Sequence, residues 1–316
     1  MSSSPVILEN VSKNYGAFNA VDDLSFAVAQ GEIYGFLGPN GAGKTTTLRM
    51  LLDIVQPSAG RIFVLGSPSA IPVRRRIGYL PEERGLYRKM KAAQSIAYFA
   101  QLRGLSGGAA KKKAYQLLEE FGLGAFAKSK NEALSKGMAQ KVQLLAAIAH
   151  EPELLILDEP FSGLDPINQQ TLEALIREQR DAGRTIIFST HVMQHAERLC
   201  DRFLIIGRGR KRFEGTLGEA RADYGRRIHL RTTAAQSAVE VLPGVQSVRV
   251  EDVSGEETTY EIELGDDVDP QDFLRRLVEA GLSVTRFEQA GATLHDIFMA
   301  LAGDDAAPAQ RMEAAE

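Results

Sequence analysis

The sequence predicts an α/β fold in which helices cover a largely parallel sheet. Short apolar runs, beginning with Val6–Leu8, alternate with helical patterns from residue 5 to about residue 217, as is typical of parallel sheets. Two later runs, Leu154–Leu157 and Thr185–Phe188, are almost continuously apolar, which indicates buried strands. A glycine-rich stretch at 38–45 then connects a strand predicted at Glu32–Leu37 with a helix that begins at Thr45.

Further helices are predicted from apolar residues at helical spacing, at Thr45–Leu52, Gln94–Arg103, Lys111–Glu120, Met138–Ala149 and Pro166–Asp181. Between about 86 and 134 there is almost no strand pattern, and glycines separate short helices. We therefore expect a helical subdomain at about 86–134, inserted in an α/β domain at 5–217.

The carboxyl-terminal part of the chain has a different pattern. Strands are predicted at 228–233, 246–252, 258–264 and 283–288, and helices at 235–242, 270–281 and 293–302. The order βαββαβ predicts a small α+β, ferredoxin-like domain at 226–302. Residues 303–316 have the composition of a disordered tail.

Composition excludes several classes of protein. The chain has 316 residues, of which 44% are hydrophobic and 25% charged, as in globular proteins. Its formal net charge of −4 provides no overall basic field, so we expect no nucleic acid partner. Cys200 is the single cysteine, which excludes an intrachain disulfide and a cysteine-based metal cluster. The start of the chain lacks a signal-peptide pattern and no apolar run is long enough to span a bilayer, so we expect a cytoplasmic location.

The glycine-rich stretch fits the phosphate-binding pattern G-x-x-x-x-G-K-[ST]. Its residues are Gly38, Pro39, Asn40, Gly41, Ala42, Gly43, Lys44 and Thr45. The glycines let backbone N–H groups point at phosphates, and the helix start adds the positive end of its dipole. Lys44 can reach the β- and γ-phosphates, and the hydroxyl of Thr45 can bind Mg²⁺. A chance glycine-rich turn would lack the strand before it and the helix after it.

Two acids follow the apolar strand at Leu154–Leu157. Asp158 is placed to hold Mg²⁺ through water, and Glu159 is the candidate to orient and deprotonate an attacking water. Read alone, the pair is also consistent with an ordinary acidic strand exit. Its combination with the phosphate-binding stretch favours the catalytic interpretation.

The order of these motifs, with Ser162-Gly163-Leu164-Asp165 and Ser189-Thr190-His191 after them, resembles the nucleotide-binding subunit of ATP-binding cassette (ABC) transporters. The resemblance covers residues 5 to about 217. It implies a P-loop NTPase fold that binds ATP with Mg²⁺, with Thr46 also at the nucleotide. It further implies head-to-tail pairing with a second ABC ATPase subunit, identical or related, with Asp165 along the interface.

Two strings compete for the signature motif of that family, which contacts the ATP of the opposing subunit. Leu105–Gly108 reads Leu-Ser-Gly-Gly, whereas Leu134–Met138 matches less well by letter. Ser135 precedes Asp158 by 23 positions, which leaves room for one helix and the strand, whereas Ser106 precedes it by 52. In that family one helix separates the signature from the acidic strand, so the resemblance together with this spacing assigns the signature to Ser135, Lys136, Gly137 and Met138, although Lys136 and Met138 depart from the usual Leu-Ser-Gly-Gly-Gln. Leu105–Gly108 is then predicted to be a joint whose glycines end one helix before the next begins.

The resemblance gives roles to further residues. Tyr15 is similar to the aromatic residue that stacks on adenine, with a surface tyrosine as the alternative. Glu82 occupies the place of a glutamine that touches Mg²⁺; it either serves as a metal ligand or marks the loss of that contact. His191 resembles the histidine that contacts the γ-phosphate and positions the acid and water. His195 is expected at the surface or in packing, and a metal site with His191 lacks a third ligand.

We expect the chain to be the ATP-hydrolysing motor of an ABC exporter that drives separate membrane permease subunits. The stretch Pro81–Tyr87 and the carboxyl-terminal domain are similar to those of ABC-2-type export systems. The expected location is peripheral, on the cytoplasmic face of the membrane, with residues near 82–100 against the permease. The alternatives are a soluble ABC-type ATPase acting on ribosomes or nucleic acid, a small-molecule phosphotransferase and a non-hydrolysing ATP switch.

Overall fold

A computed structural model describes residues 4–83, 85–223, 226–265, 267–290 and 293–302, and it divides the chain into two compact units between Gly215 and Thr216. The predicted tail at 303–316 lies outside the described residues. Within the described residues, no helix is both long and apolar enough to cross a membrane.

The first unit contains strands and helices in mixed order. In chain order they are β1 (Val6–Tyr15), β2 (Phe18–Val28), β3 (Ile33–Leu37), α1 (Lys44–Leu51), β4 (Ala59–Val64), β5 (Ile77–Leu80), α2 (Ala92–Leu102), α3 (Gly107–Glu120), α4 (Lys136–Ile148), β6 (Leu154–Leu157), α5 (Pro166–Asp181), β7 (Thr185–Thr190), α6 (Met193–Leu199), β8 (Arg202–Gly207) and β9 (Arg210–Gly215). Short 3₁₀ turns lie at Arg74–Arg76, Gly124–Phe126 and Asn131–Ala133.

The central sheet has the strand order β5-β6-β7-β3-β8-β9. Its first five strands are parallel and β9 is antiparallel. Side chains alternate between its faces: Leu155 and Leu157 point into the cluster that contains α2–α6 residues, while Leu154 and Ile156 point into the cluster on the other face. The α/β prediction is therefore confirmed.

A second, antiparallel sheet with the order β2-β1-β4 contributes Val6, Phe26 and Val28 to the second of these clusters. The sequence pattern predicts only the beginning of β1, at Val6–Leu8, and neither β2 nor β4 was predicted. Bulges interrupt the pairing of β1 with both neighbours, which blurs the two-residue alternation that identifies a half-buried strand.

The helices α2, α3 and α4 pack together into what we call the helical layer, with Ile96, Leu118 and Leu145 fully buried among them. The expected joint at Leu105–Gly108 is wrong in detail. Helix α2 ends at Leu102, the left-handed Gly104 makes the break, and the hydroxyl of Ser106 accepts a hydrogen bond from the N–H of Ala109 at 3.4 Å. Gly107 and Gly108 thus open α3 rather than end α2, because a serine N-cap fixes the helix start.

The second unit contains α7 (Leu217–Asp223), β10 (Arg226–Thr232), α8 (Gln236–Glu240), β11 (Val245–Ser254), β12 (Glu257–Leu264), α9 (Pro270–Glu279), β13 (Arg286–Ala290) and α10 (Leu294–Ala302). Its antiparallel sheet has the order β11-β12-β10-β13. Leu230, Ile262, Phe273 and Leu277 form a separate buried core. After α7, the βαββαβ order and the strand order are those of a ferredoxin-like domain, as predicted.

Candidate nucleotide site

Three neighbouring parallel strands end at the same edge of the central sheet and carry the predicted site residues. The chain continues from β3 into Gly38, from β6 into Asp158 and from β7 into His191. Ligand sites of open α/β sheets lie outside the carboxyl ends of the strands. The fold thus collects residues that are far apart in the sequence.

The glycine-rich loop wraps around the start of α1. Gly41 and Gly43 have φ angles of 79° and 104°, and a Cβ on Gly43 would lie 2.5 Å from the carbonyl oxygen of Ala20. Glycine is required at Gly43 for both reasons. Buried Lys44 donates from Nζ to the carbonyl oxygens of Gly38 at 2.7 Å and Pro39 at 3.2 Å, so the ammonium is held inside the loop.

Asp158 accepts two hydrogen bonds on the same carboxylate oxygen. Thr45 donates from Oγ1 at 3.3 Å and Ser189 from Oγ at 2.7 Å. Burial raises the pKa of Asp158, the negative charge of Glu159 raises it further, and the two hydroxyl donors oppose the shift. A carboxylate and a hydroxyl that converge in a desolvated place are the oxygen donors that Mg²⁺ prefers, and a divalent cation would offset the cost of burying the charge.

Glu159 lies between the loop lysine and His191. Its Oε1 is 3.4 Å from Nζ of Lys44, its Oε2 is 3.0 Å from Nδ1 of His191, and the residue is only 6% exposed. Its φ of 45° is uncommon for a residue with a side chain. The N–H of Glu159 donates to Oγ of Ser189 at 2.9 Å, so this serine ties both acids to β7. Ser189 precedes His191 by two positions in the sequence, but the local pattern indicates no role for it.

A cleft of about 300 Å³ opens above the glycine-rich loop. Its lining includes Lys44, Thr45, Thr46 and Glu159, together with exposed Glu82. Phe18, rather than the predicted Tyr15, is among the lining residues. The two aromatic residues are direct cross-strand partners of β1 and β2, and such partners share one face of a sheet.

The loop that carries Glu82 is anchored from the helical layer. Gln143 of α4 donates from Nε2 to the carbonyl oxygens of Pro81 at 3.4 Å and Glu83 at 3.1 Å. Sequence reasoning missed Gln143, since its position in α4 does not reveal which loop it faces.

The predicted signature residues lie at the start of α4, and none of them lines the cleft described above. Ser135 is the N-cap and accepts from the N–H of Met138 at 3.3 Å. A Cβ on buried Gly137 would lie 2.6 Å from Nδ2 of Asn168, and a Cβ on Gly163 would overlap the ammonium of Lys136. The start of α4 therefore packs closely on the segment that follows Glu159.

That segment has two further anchors. Gln140 of α4 donates from Nε2 to the carbonyl oxygen of Pro160 at 3.1 Å. Exposed Asp165 caps α5 by accepting from the N–H of Asn168 at 3.0 Å and from its Nδ2 at 2.6 Å.

His195 is buried, so of the two locations predicted for it, the surface and the packed interior, it has the second. Its ring stacks on Phe161 with centroids 4.0 Å apart, and its Nδ1 is 3.0 Å from Oε1 of buried Glu173. Burial lowers the pKa of His195 despite the neighbouring carboxylate. Among the described residues, no group of three or more histidine, cysteine, aspartate or glutamate side chains could hold a metal ion together.

Comparison with known proteins identifies the family to which the chain belongs. A family model for the ABC transporter domain matches residues 21–162, and one for the DrrA1-3-like ATP-binding protein, C-terminal domain, matches residues 215–302. YhaQ of Bacillus subtilis, an ABC transporter ATP-binding protein, is 37% identical over 308 residues, which cover 94% of this chain and 98% of YhaQ. The chain belongs to the ABC transporter ATP-binding proteins.

Other relatives in this ABC family include two with named roles. The linearmycin resistance ATP-binding protein LnrL of Bacillus subtilis is 36% identical, covering 82% of this chain and 84% of LnrL. The Nod factor export ATP-binding protein I of Burkholderia orbicola is 42% identical, covering 68% and 72%. The solved structure of an ATP-binding subunit of an ABC transporter has a TM-score of 0.65 at 35% identity, covering 70% of this chain and 93% of that one.

ABC subunits of this kind bind and hydrolyse ATP, so this ABC chain is an ATP hydrolase. The relatives and the structure described above are transporter subunits, and they give no support to the alternative of an ATPase that acts on ribosomes or nucleic acid.

Proposed function

We propose that this chain is the motor of an ABC exporter, in which residues 5–217 hydrolyse ATP and residues 226–302 form an accessory domain. It pairs head to tail with a second ABC ATPase subunit and drives a separate permease from the cytoplasmic face of the membrane. The observation that carries the proposal is the convergence of Lys44, Asp158, Glu159 and His191 at the edge where β3, β6 and β7 end.

In this proposal the ATP phosphates bind in the cradle of Gly38–Thr46 and the adenine ring rests on the aromatic face of Tyr15 and Phe18. Lys44 exchanges the carbonyl oxygens that it now contacts for phosphate oxygens, which bear more negative charge. Because the loop already has its curled shape, little ordering is needed on binding.

Glu159 is proposed as the base that orients and deprotonates the attacking water. His191 fixes one carboxylate oxygen at 3.0 Å and leaves Oε1 near Lys44, where the γ-phosphate would enter. Thr45 and Asp158 would hold Mg²⁺, with Glu82 as a further oxygen ligand. The metal would neutralise charge on the phosphates.

The dimer is proposed because the predicted signature residues lie outside the nucleotide cleft of their own chain. Ser135, Lys136, Gly137 and Met138 lie away from the cleft of their own chain, and Ser135 and Lys136 are exposed. A second subunit could bring its signature to this cleft and receive the signature of this chain in return. Asp165 and Ile167, which is 77% exposed, would lie at that interface.

Export is proposed from the relatives whose names include Nod factor export and linearmycin resistance, and from the stretch Pro81–Tyr87. The permease contact is proposed near residues 82–100. A cavity of about 180 Å³ lies there between the loop and the helical layer, lined by Pro81, Phe99 and Arg103 among others.

Turnover of Mg²⁺-ATP by the purified chain, by Glu159→Gln and by the exposed control Glu120→Gln tests the catalytic part. We expect Glu159→Gln to lose at least about 100-fold in turnover and to form an ATP-dependent dimer in size-exclusion chromatography, while Glu120→Gln behaves as the original protein. Rapid hydrolysis by Glu159→Gln would remove Glu159 as the base.

The permease is tested in the native cell. Tagged Glu159→Gln is captured from detergent-solubilised membranes with and without ATP. A multi-spanning membrane protein in near-equal amount supports the transporter role and identifies the partner. Recovery from the soluble fraction with ribosomal or nucleic-acid partners would contradict it.

A further inference from the structure

Positive charge is concentrated in the helical layer. Residues 86–131 contain nine lysines and arginines and two glutamates, which is a formal charge of +7 in a chain whose total is −4. The rest of the protein is therefore strongly acidic. Such an asymmetry indicates an interaction with an anionic partner at this layer.

A groove of about 650 Å³ between α2 and α3 collects part of this charge. Exposed Lys91, Lys111 and Lys128 line it together with Tyr98 and Tyr115, which are 38% and 39% exposed. Ala93, Ala97 and Ala127 form an apolar floor. We call this surface the basic groove.

The three ammonium groups have no acidic neighbours in the groove. Among the described residues that line it there is no carboxylate, and none of the three lysines forms an ion pair with a described residue. Glu119 follows Tyr115 on the same face of α3, but its carboxylate lies against Gly124 at the far end of the helix. The charged side chains that line the basic groove, among the described residues, are therefore all positive.

The basic groove lies on the flank of α2 opposite the cavity behind Pro81, which is the part of the proposed permease contact that the structure forms as a cavity. Phe99 and Arg103 point from one side of α2 into the cavity behind Pro81, whereas Gln94, Tyr98 and Gln101 line the basic groove on the other side. Positions one turn apart share a helix face, so these two sets occupy opposite flanks of α2. Both flanks can be occupied at once.

We propose that the basic groove binds the phosphate-bearing headgroups of anionic phospholipids, so that the helical layer contacts the membrane surface directly. Lysine supplies compact point charges that suit single phosphates, and arginine forks are absent from the described lining of the groove. Tyrosines with an apolar ring and a polar tip are favoured at headgroup depth, and the alanine floor accepts acyl carbon. This inference rests on the membrane-face role proposed above.

Flotation of the purified chain with lipid vesicles tests the proposal without any permease. We expect binding to vesicles of phosphatidylcholine with about one-third phosphatidylglycerol, and little binding to phosphatidylcholine alone. Each lysine near an anionic surface contributes roughly fivefold to partitioning, so the triple variant Lys91→Gln/Lys111→Gln/Lys128→Gln should bind roughly 100-fold more weakly. Binding should also fall steeply as salt rises to about 0.5 M.

A matched variant, Arg61→Gln/Arg249→Gln/Arg275→Gln, removes the same charge from exposed sites outside the helical layer. It should bind anionic vesicles as the original protein does, and ATP turnover in solution should be unchanged in both variants. Equal losses in the two triple variants, or full binding by the groove variant, would overturn the proposal. The Glu159→Gln variant tests the two proposals independently. If it loses ATP turnover but still binds anionic vesicles, lipid binding does not depend on the proposed motor chemistry.

Discussion

Acidification is expected to destabilise the ATPase unit through His150, which is held in its neutral form. The ring lies between α4 and β5, where Nε2 donates to the carbonyl oxygen of Ile77 at 3.1 Å. Its Nδ1 is buried and has no hydrogen-bond partner in the described structure. Burial lowers the pKa of His150 to about 4, and the positive charges of Arg103 and Arg184 act in the same direction, against the hydrogen bond to Ile77.

The sign of the effect follows from proton binding. Unfolded chains protonate this histidine near its ordinary pKa of 6.5, whereas the folded chain does not protonate it until about pH 4. The unfolded state binds more protons within this window, so the free energy of unfolding falls as pH falls from 6.5 to 4. The loss between about pH 7.5 and about pH 5 is about 2 kcal/mol, and about 1 kcal/mol after allowance for solvent at the partly exposed ring.

Urea denaturation followed by circular dichroism at a series of pH values measures this loss. His150→Gln keeps a donor for the carbonyl oxygen of Ile77 and removes the titrating group, so its stability should decline about 1–2 kcal/mol less than that of the original protein. Equal acid sensitivity in the original protein and in His150→Gln would refute the reasoning, as would an NMR titration of His150 near pH 6.5.

Three other substitutions test the site. Ser189→Ala removes the hydroxyl that donates to Asp158 and should lower ATP turnover at least about tenfold while costing about 1–3 kcal/mol of stability, measured by turnover and urea denaturation; full activity would contradict its role. Gly137→Ala should impair ATP-dependent dimer formation, measured by size-exclusion chromatography, because the new Cβ meets the side chain of Asn168. Adding Asn168→Ala removes that side chain and should partly restore the dimer. If the losses of the two substitutions simply add, the contact is not the cause. His195→Leu should cost about 2 kcal/mol because it leaves a buried carboxylate with one partner fewer, and a thermal shift within error of the original protein would disprove this.

Much of the nucleotide site could be predicted from the sequence because its chemistry is local. The stretch 38–45 contains its own strand exit, turn and helix start, and Asp158 and Glu159 directly follow an apolar strand. The structure adds the distances that bring these segments together. The roles of the individual residues remain predictions.

The residues of the two serine-glycine strings do not by themselves reveal how the helix starts that contain them differ in structure. Ser106 and Ser135 each cap a helix with the side-chain oxygen, because the same residue type satisfies the same free N–H groups. They differ in what surrounds the helix start: the start of α4 packs on Gly163 and Asn168. Which residues pack against a helix start depends on the tertiary fold. In the sequence, only the spacing to Asp158 indicated that the two helix starts differ.

Contacts made across the fold were the ones missed. Gln143 and His195 both look like ordinary helix residues in the sequence, yet Gln143 anchors the loop that carries Glu82 and His195 stacks on Phe161. Helical spacing predicts that a residue is buried but not which partner it meets. The same limit applies to Phe18, whose place beside Tyr15 depends on hairpin register.

The close packing between α4 and the segment after Glu159 has a consequence for a paired molecule. Gln140 donates a hydrogen bond to the carbonyl oxygen of Pro160, the residue after Glu159. Gly137 lies against Asn168, which is in the first turn of α5. A shift of Glu159 during turnover would therefore move the start of α4, which in the proposed pair touches the other nucleotide. The two sites would then be thermodynamically linked, each altering the affinity of the other by the same factor, and ATP binding curves would depart from a simple hyperbola.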